Sequence, residues 1–251
     1  MALTGSAFLA LWNDVDTDVE ADYERWHTSE HVPERVGIPG FLAGRRYRSG
    51  SPGQPRYFTL YEVADVTVFD SVAYRDVIDR PTPWSAAMRP RLRNVVRATC
   101  ETAASTGNAA GEKEKPPVAL ACARFSCSQD AQPHSDSLLA ACAALQGVRG
   151  VHLGAARSSV PSAFKQWSKT ANPTHVLLIE GDAEAALCSA HAAIAVAIDA
   201  HGHAREPATI NTYTLTFRIG HEQVDASLLR APVHDCAPVA SLPFDPTSGH
   251  T

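Results

Sequence analysis

Positive charge is in short supply in this chain. Twenty-two lysines and arginines (22) stand against 27 aspartates and glutamates, a formal net charge of -5, and no basic block or basic-aromatic alternation relieves the deficit. General nucleic-acid binding needs a concentrated positive face, so that class is set aside. Long hydrophobic runs are missing too. The apolar stretch Ala7 to Trp12 is too short to span a bilayer and has no basic leader before it, so it reads as a strand and no membrane partner is expected. Cysteine occurs at Cys100, Cys122, Cys127, Cys142, Cys188 and Cys236, with neither C-x-x-C spacing nor a dense framework. Several of these fall in strand or helix patterns, where Cys acts as a small apolar residue. A reduced, cytoplasmic protein is the expectation.

What the chain does have is 45% hydrophobic residues over 251 positions, enough for one large or two small domains with real cores. Strands are predicted over Ala7–Asn13, Phe41–Arg48, Arg56–Val63 and Arg93–Thr102, with helices over Thr17–His31 and Thr67–Val77 and an irregular stretch over Asp79–Pro90. That order, β-α-β-β-α-β, is the ferredoxin-like split βαβ pattern. The strands are apolar or aromatic on both faces, so the face not covered by helices must pack on another sheet.

Residues 105–117 are small, polar and charged and read as a linker. After them the same order returns. Strands are predicted over Val118–Cys127, Gly150–Arg157, Thr174–Glu180 and Thr209–Ile219, and helices over Ser135–Gln146 and Ala183–Ala200. Pro39-Gly40-Phe41-Leu42-Ala43-Gly44 is echoed by Arg149-Gly150-Val151-His152-Leu153-Gly154, Tyr61-Glu62 by Ile179-Glu180, and Asn94 by Asn211. The expected fold is therefore α+β, with two ferredoxin-like repeats (1–104 and 118–220) pairing their sheets into one intramolecular α/β barrel, then a tail over 221–251. The repeat is lopsided: Glu30 and His31 fall opposite Ala140 and Ala141, and Arg45 opposite Ala155. The chemistry is expected in the first half. His201-Gly202-His203 reads as an exposed loop.

The first helix concentrates that chemistry. At about 100° per residue, Val19, Tyr23 and Trp26 share a buried stripe, Glu30 falls inside it, and His27 and His31 lie at its edge. A carboxylate facing an apolar core is costly unless paired or protonated, which makes Glu30 a candidate acid or base. Equally, the helix can fray before Pro33, or Arg25, Arg35 or a backbone N–H can satisfy the carboxylate. His27-Thr28-Ser29-Glu30-His31 also spells H-x-x-E-H, a metal-binding pattern. Pro33 disfavours helix at Val32, no third ligand is evident, and no metal is expected. In the next strand, alternation lets only one of Arg45 and Arg46 face a pocket.

These residues carry a resemblance. Trp26 to Arg35, then Ile38-Pro39-Gly40-Phe41, then Arg45-Arg46-Tyr47, resemble the EthD-like branch of the dimeric α/β-barrel superfamily, and Tyr57 to Val63 fits its third strand. The likeness covers residues 5–102 and extends over 117–220 only in topology. It implies a barrel of two ferredoxin-like units and a role for a His on or near the first helix. It leaves the reaction open among cofactor-free monooxygenases, isomerases, cyclases and haem enzymes. The leading expectation is an isomerase, lyase or cyclase without an organic cofactor, acting on a hydrophobic, anionic aromatic- or lactone-type small molecule. His31 or His27 would be the general acid/base and Glu30 its partner. Arg45 or Arg46 would hold a carboxylate or enolate, and Tyr47, Tyr61, Trp84 and Trp26 would wall the pocket. A cofactor-free or haem-dependent oxygenase is the alternative, and a non-catalytic ligand-binding protein the third reading. Beyond the internal pairing, a homodimer is expected.

Overall fold

A computed structural model of the protein describes residues 3–107, 117–127, 132–157 and 173–230. Most of the expected linker, and the tail beyond 230 with Cys236 and Phe244, lie outside them. The eight strands are β1 (Ala7–Val15), β2 (Phe41–Arg48), β3 (Tyr57–Val63), β4 (Leu92–Gly107), β5 (Ala119–Phe125), β6 (Val148–Ala156), β7 (His175–Gly181) and β8 (Thr209–Gly220). They close into one barrel in the order β1-β3-β2-β8-β5-β7-β6-β4. Each half supplies a ferredoxin-like sheet, and two antiparallel seams, β2 to β8 and β4 to β6, join the halves. This is the intramolecular barrel expected from strands with two apolar faces. β4 runs to Gly107, inside the stretch read as linker, because its second part pairs with β6 from Cys100 to Gly107 and has left β1 after Glu101.

The first half covers its sheet with α1 (Glu20–Trp26), a π turn (His27–His31), α2 (Val32–Val36), α3 (Val72–Asp79) and α4 (Pro83–Met88). The second uses α5 (Ser135–Ala143), α6 (Glu184–Ser189) and α7 (His191–His201). Pro33 does not end the first helix. The π turn ahead of it widens the winding, and Pro33 then sits at the start of α2, where its missing N–H is least costly. The helix read over Thr67–Val77 divides at Ser71, whose hydroxyl accepts from the Tyr74 N–H and starts α3. The stretch read as irregular holds α4, which begins with a strong pair: Thr82 accepts from the Ser85 N–H at 3.0 Å, and Pro83 is the first helical residue. His201 closes α7 rather than lying in a loop, Gly202 is buried, and only His203 is exposed. The start of the tail packs on the first half: Arg230 clasps Glu34 at 2.5 Å and Asp76 at 3.0 Å.

Eight strands leave an interior that side chains fill, not a pore. Here the filling is Phe8, Trp12, Tyr47, Phe58 and Tyr213 with smaller apolar residues around them. Trp12 and Phe58 meet at 4.9 Å between ring centroids, Phe58 and Tyr213 at 5.5 Å. Toward the end where β1 begins, the interior turns ionic. Arg45 reaches Glu62 at 3.1 Å and Glu180 at 2.8 Å, so one guanidinium from the first half holds a carboxylate from each half. Thr4 and Gly5 donate backbone N–H groups to Glu62. His152 stands 3.6 Å from Glu180 and hydrogen-bonds Ser105 through Nδ1 at 2.5 Å. Burial alone would push the Glu180 carboxyl up, but His152 and the Arg45 charge outweigh it and hold the pKa at about 2.

Replacing Arg45 by Met should therefore destabilise the protein by about 3–5 kcal/mol in urea unfolding, because it strands two buried carboxylates. The Glu180 pKa lies below its ordinary 4.5, so its contribution is full above about 4.5 and drains as pH falls toward 2. Wild type should lose about 3 kcal/mol across that window from this group, and Glu180→Gln should flatten the loss.

Candidate active site

The outer face of the first half's sheet carries Arg46 from β2 and Tyr57, Thr59 and Tyr61 from β3, with α1, the π turn and α2 laid across it. Gly44 on β2 sets how close the helix comes. A Cβ there would stand 2.7 Å from Val32 Cγ1 and 2.8 Å from Val36 Cγ2, so only glycine admits α2 at this depth. The π winding then arranges the histidines. In an α-helix, residues four apart are offset by about 40°. In the wider π turn they come closer to eclipsed, and the His27 and His31 rings stack at 5.0 Å with 25° between their planes. Trp26 covers His31 at 4.2 Å and Tyr23 packs on His27 at 5.0 Å. Tyr23 is itself fixed by Asn13, whose amide donates to its hydroxyl at 3.1 Å.

Both histidines are held neutral. His27 is only 3% exposed. His31 keeps some exposure at the rim, though its Nδ1 is enclosed. Burial lowers both pKa values well below 6.5. Arg46 and then Arg35 push His27 further down, and Arg35 followed by His27 itself does so for His31. Arg46 is anchored by Glu24 at 2.8 Å and by Thr28 and lies over the Tyr23 ring at 5.6 Å; Arg35 bonds Glu34 at 3.2 Å and the His31 carbonyl at 3.3 Å. Four buried polar atoms in this layer have no hydrogen-bond partner: Nδ1 of His27, Nδ1 of His31, the Thr59 hydroxyl and the Tyr61 hydroxyl. Unsatisfied buried groups are costly, and they gather here around two neutral bases and two guanidinium groups. A metal cation would meet the repulsion of both arginines, and no group of three potential metal ligands forms among the described residues.

The structure thus brings together His27, His31, Trp26, Arg46 and Tyr61. Glu30 is close by but does not face the core. It is half-buried toward α4, accepting from Trp26 Nε1 at 3.2 Å, Thr82 at 2.5 Å and Ser85 at 3.2 Å. Its observed work is to orient Trp26, the cover of His31. Trp84 is at the edge, donating to Asp22 at 3.2 Å and packed with Tyr23, Trp26, Tyr57 and Met88. Arg45 and Tyr47 are separated from this cluster, since both point into the barrel. The helix–sheet layer takes Arg46 and not Arg45. Sequence reasoning missed Thr59, Thr82 and Ser85 as site residues. Thr82 and Ser85 were legible in principle from the Thr-Pro cap of α4, whereas nothing marked Thr59. A cavity of about 940 Å³ opens elsewhere, at the barrel end where β4 and β8 begin and β5 ends.

No family model matches the chain, and no curated protein matches it in sequence. Solved structures do. An anthrone oxidase-like protein superposes with a TM-score of 0.63 at 11% identity, over 90% of this chain and 98% of the other. Two proteins described as "putative monooxygenase" follow. One, from Fusobacterium nucleatum subsp. nucleatum, has a TM-score of 0.52 at 13% identity over 86% and 95% of the two chains. The other, from Lactobacillus acidophilus NCFM, has 0.49 at 10% over 86% and 96%. The chain therefore has the dimeric α/β-barrel fold, built here from two ferredoxin-like units in tandem. Among the described residues, no helix is long and apolar enough to cross a membrane.

Two histidines held neutral tie stability to pH in a definite direction. Below about 6.5 the unfolded chain gains protons at these positions and the folded one resists, so their contribution is full above 6.5 and drains as pH falls. Urea unfolding at pH 7.5 and 5.5 should show wild type losing stability, and His27→Gln should lose measurably less. This window lies above the one set by Glu180.

Proposed function

We propose that this protein is a small-molecule enzyme of the cofactor-free oxygenase type, in which the His27–His31 pair deprotonates a hydrophobic aromatic substrate that dioxygen then oxidises. The observation that carries this reading is the pair itself: two buried imidazoles, neutral at pH 7, each with Nδ1 unpartnered, beside Arg35 and Arg46. A neutral imidazole can accept a proton, and the carbanion or phenolate left behind would be stabilised by the guanidinium groups. The imidazolium and the substrate anion form together as an ion pair, which offsets the burial that makes either histidine a weak base at rest.

The chemistry is that implied by the name of the anthrone oxidase-like neighbour. A C–H proton of a methylene conjugated through the aromatic rings to a carbonyl passes to histidine. The resulting anion gives one electron to dioxygen, and the two radicals combine as a peroxide. Loss of water then leaves a carbonyl, so that a CH2 group and O2 become C=O and H2O. The first step is shared with an isomerase or lyase; the names of the fold neighbours favour oxygen as the second reactant. The EthD-like character of residues 26–47 belongs to the same reading. For haem, His27 or His31 would need an open face for the macrocycle, and both are packed against neighbouring rings.

Anthrone is the substrate to try first, with oxygen uptake and quinone absorbance as readouts. Uptake should proceed with chelator present and without a Soret band in the purified protein. His31→Ala should lower turnover about 100-fold or more, the scale of a lost general base. Glu30→Gln, which keeps an acceptor oxygen for Trp26, should cost far less. Unchanged turnover in both His31→Ala and His27→Ala, with circular dichroism intact, would rule the pair out.

A further inference from the structure

The 940 Å³ cavity at the barrel end is lined by neither histidine, although Arg89 and Leu92 in its wall also border their layer, and it has an unusual charge arrangement. Arg89, Arg93, Arg124 and Arg205 line it, against a single carboxylate residue among the described residues, Glu206. Two of the four are committed: Arg89 donates to the Ile78 and Val77 carbonyls, and Arg93 pairs with Asp16 at 2.8 Å. Arg205 is exposed to solvent.

Arg124 is different. It sits on an inward-facing position of β5, is largely buried, and among the described residues hydrogen-bonds only the Asn211 amide oxygen, at 3.2 Å. Its guanidinium lies over the Trp12 ring at 4.8 Å. Among the described residues it pairs with no carboxylate. A buried cation without a counter-ion is costly, and a cation–π contact offsets only part of that cost. The atoms around it are donors in excess: Arg124 Nε, Trp12 Nε1 and the Tyr213 hydroxyl are all buried without a partner. The rest of the cavity wall mixes apolar residues, Leu92, Val95 and Val96 among Pro55, Pro90, Pro173 and Pro207, with the polar Asn94, Ser126 and Thr209.

We propose that this barrel mouth is a second binding site, for a hydrophobic organic anion whose carboxylate supplies the charge Arg124 lacks while its apolar body lies against Val96 and the proline rim of Pro90, Pro173 and Pro207. Planar bidentate pairing is what a guanidinium offers a carboxylate. An apolar cavity with a few convergent polar groups is the usual form of a small-molecule site. The site is independent of the reaction proposed for the histidine pair.

The test is calorimetric titration of the whole protein with 1-naphthoate, with its neutral amide 1-naphthamide, and with inorganic phosphate. Naphthoate should bind at least tenfold more tightly than either of the others. Arg124→Gln should abolish that preference, and its unliganded melting temperature should not fall, because the substitution removes an uncompensated charge. His31→Ala should leave naphthoate binding unchanged. Where Arg124→Gln fails to fold, Arg124→Lys and the cavity-filling Val96→Phe take its place, and each should weaken naphthoate binding. Three outcomes would overturn the proposal: wild-type affinity in the Arg124 and Val96 variants, phosphate binding as tightly as naphthoate, or loss of binding in His31→Ala alone.

Discussion

A closed barrel has no edge through which a charge set deep inside can reach water, so a charge placed away from its mouths must be answered inside. Arg45 is the residue on which that condition turns. It is directed inward by strand alternation, and it arrives with the right parity because β2 carries an irregularity between Phe41 and Ala43. The same parity sends Arg46 outward to Glu24 and Thr28, beneath the histidines. One local irregularity thus settles both the ionic tie between the halves and the electrostatics of the helix layer. A one-residue slip would exchange the two arginines between the barrel interior and the helix layer.

The two halves share a topology and diverge in what they cover it with. The helix layer of the second half packs small and aliphatic side chains such as Ala121, Ala123, Leu138, Leu153 and Ile194. The first half layers tyrosine, tryptophan and histidine over β3 and β1, and it accepts the unsatisfied groups that go with them. Such local cost persists where surrounding packing over-determines it, and Tyr23, fixed by Asn13 and Tyr57, is part of that packing.

Strand order was readable because apolar character on both faces is a strong signal, and β2 matches its expected bounds residue for residue. The uneven placement of polar side chains is readable as well, since alanines stand at 140 and 141 where the first half has Glu30 and His31. What could not be read was parity. The echo of Gly44 in Gly154 places the two residues at equivalent positions in sequence. Yet Gly44 faces helix α2, while a Cβ on Gly154 would strike Phe8 and Cys100 inside the barrel. Irregular pairing shifts the register in β2 between Phe41 and Ala43 and in β6 between Val148 and Gly150, and pattern alone does not reveal such offsets. Glu30 was misplaced for a related reason. The stripe was drawn with α-helical spacing, and the π turn that follows Trp26 rotates everything beyond it. Pro33, expected to stop or kink the helix, marks where that turn hands back to α-helix.

The ionic knot inside the barrel also says something about ancestry and design freedom. Glu62 and Glu180 occupy corresponding places in the two repeats, and so by strand register do Arg45, opposite Leu60, and His152, opposite Leu178, so the second half sets an imidazole where the first has its guanidinium. An assembly of two identical chains must install every charge in duplicate, and a lone arginine between twin carboxylates is beyond its arithmetic. Fusing the copies lifts that restriction: odd numbers become possible at the centre, and each substitution on one side can be selected without being mirrored on the other.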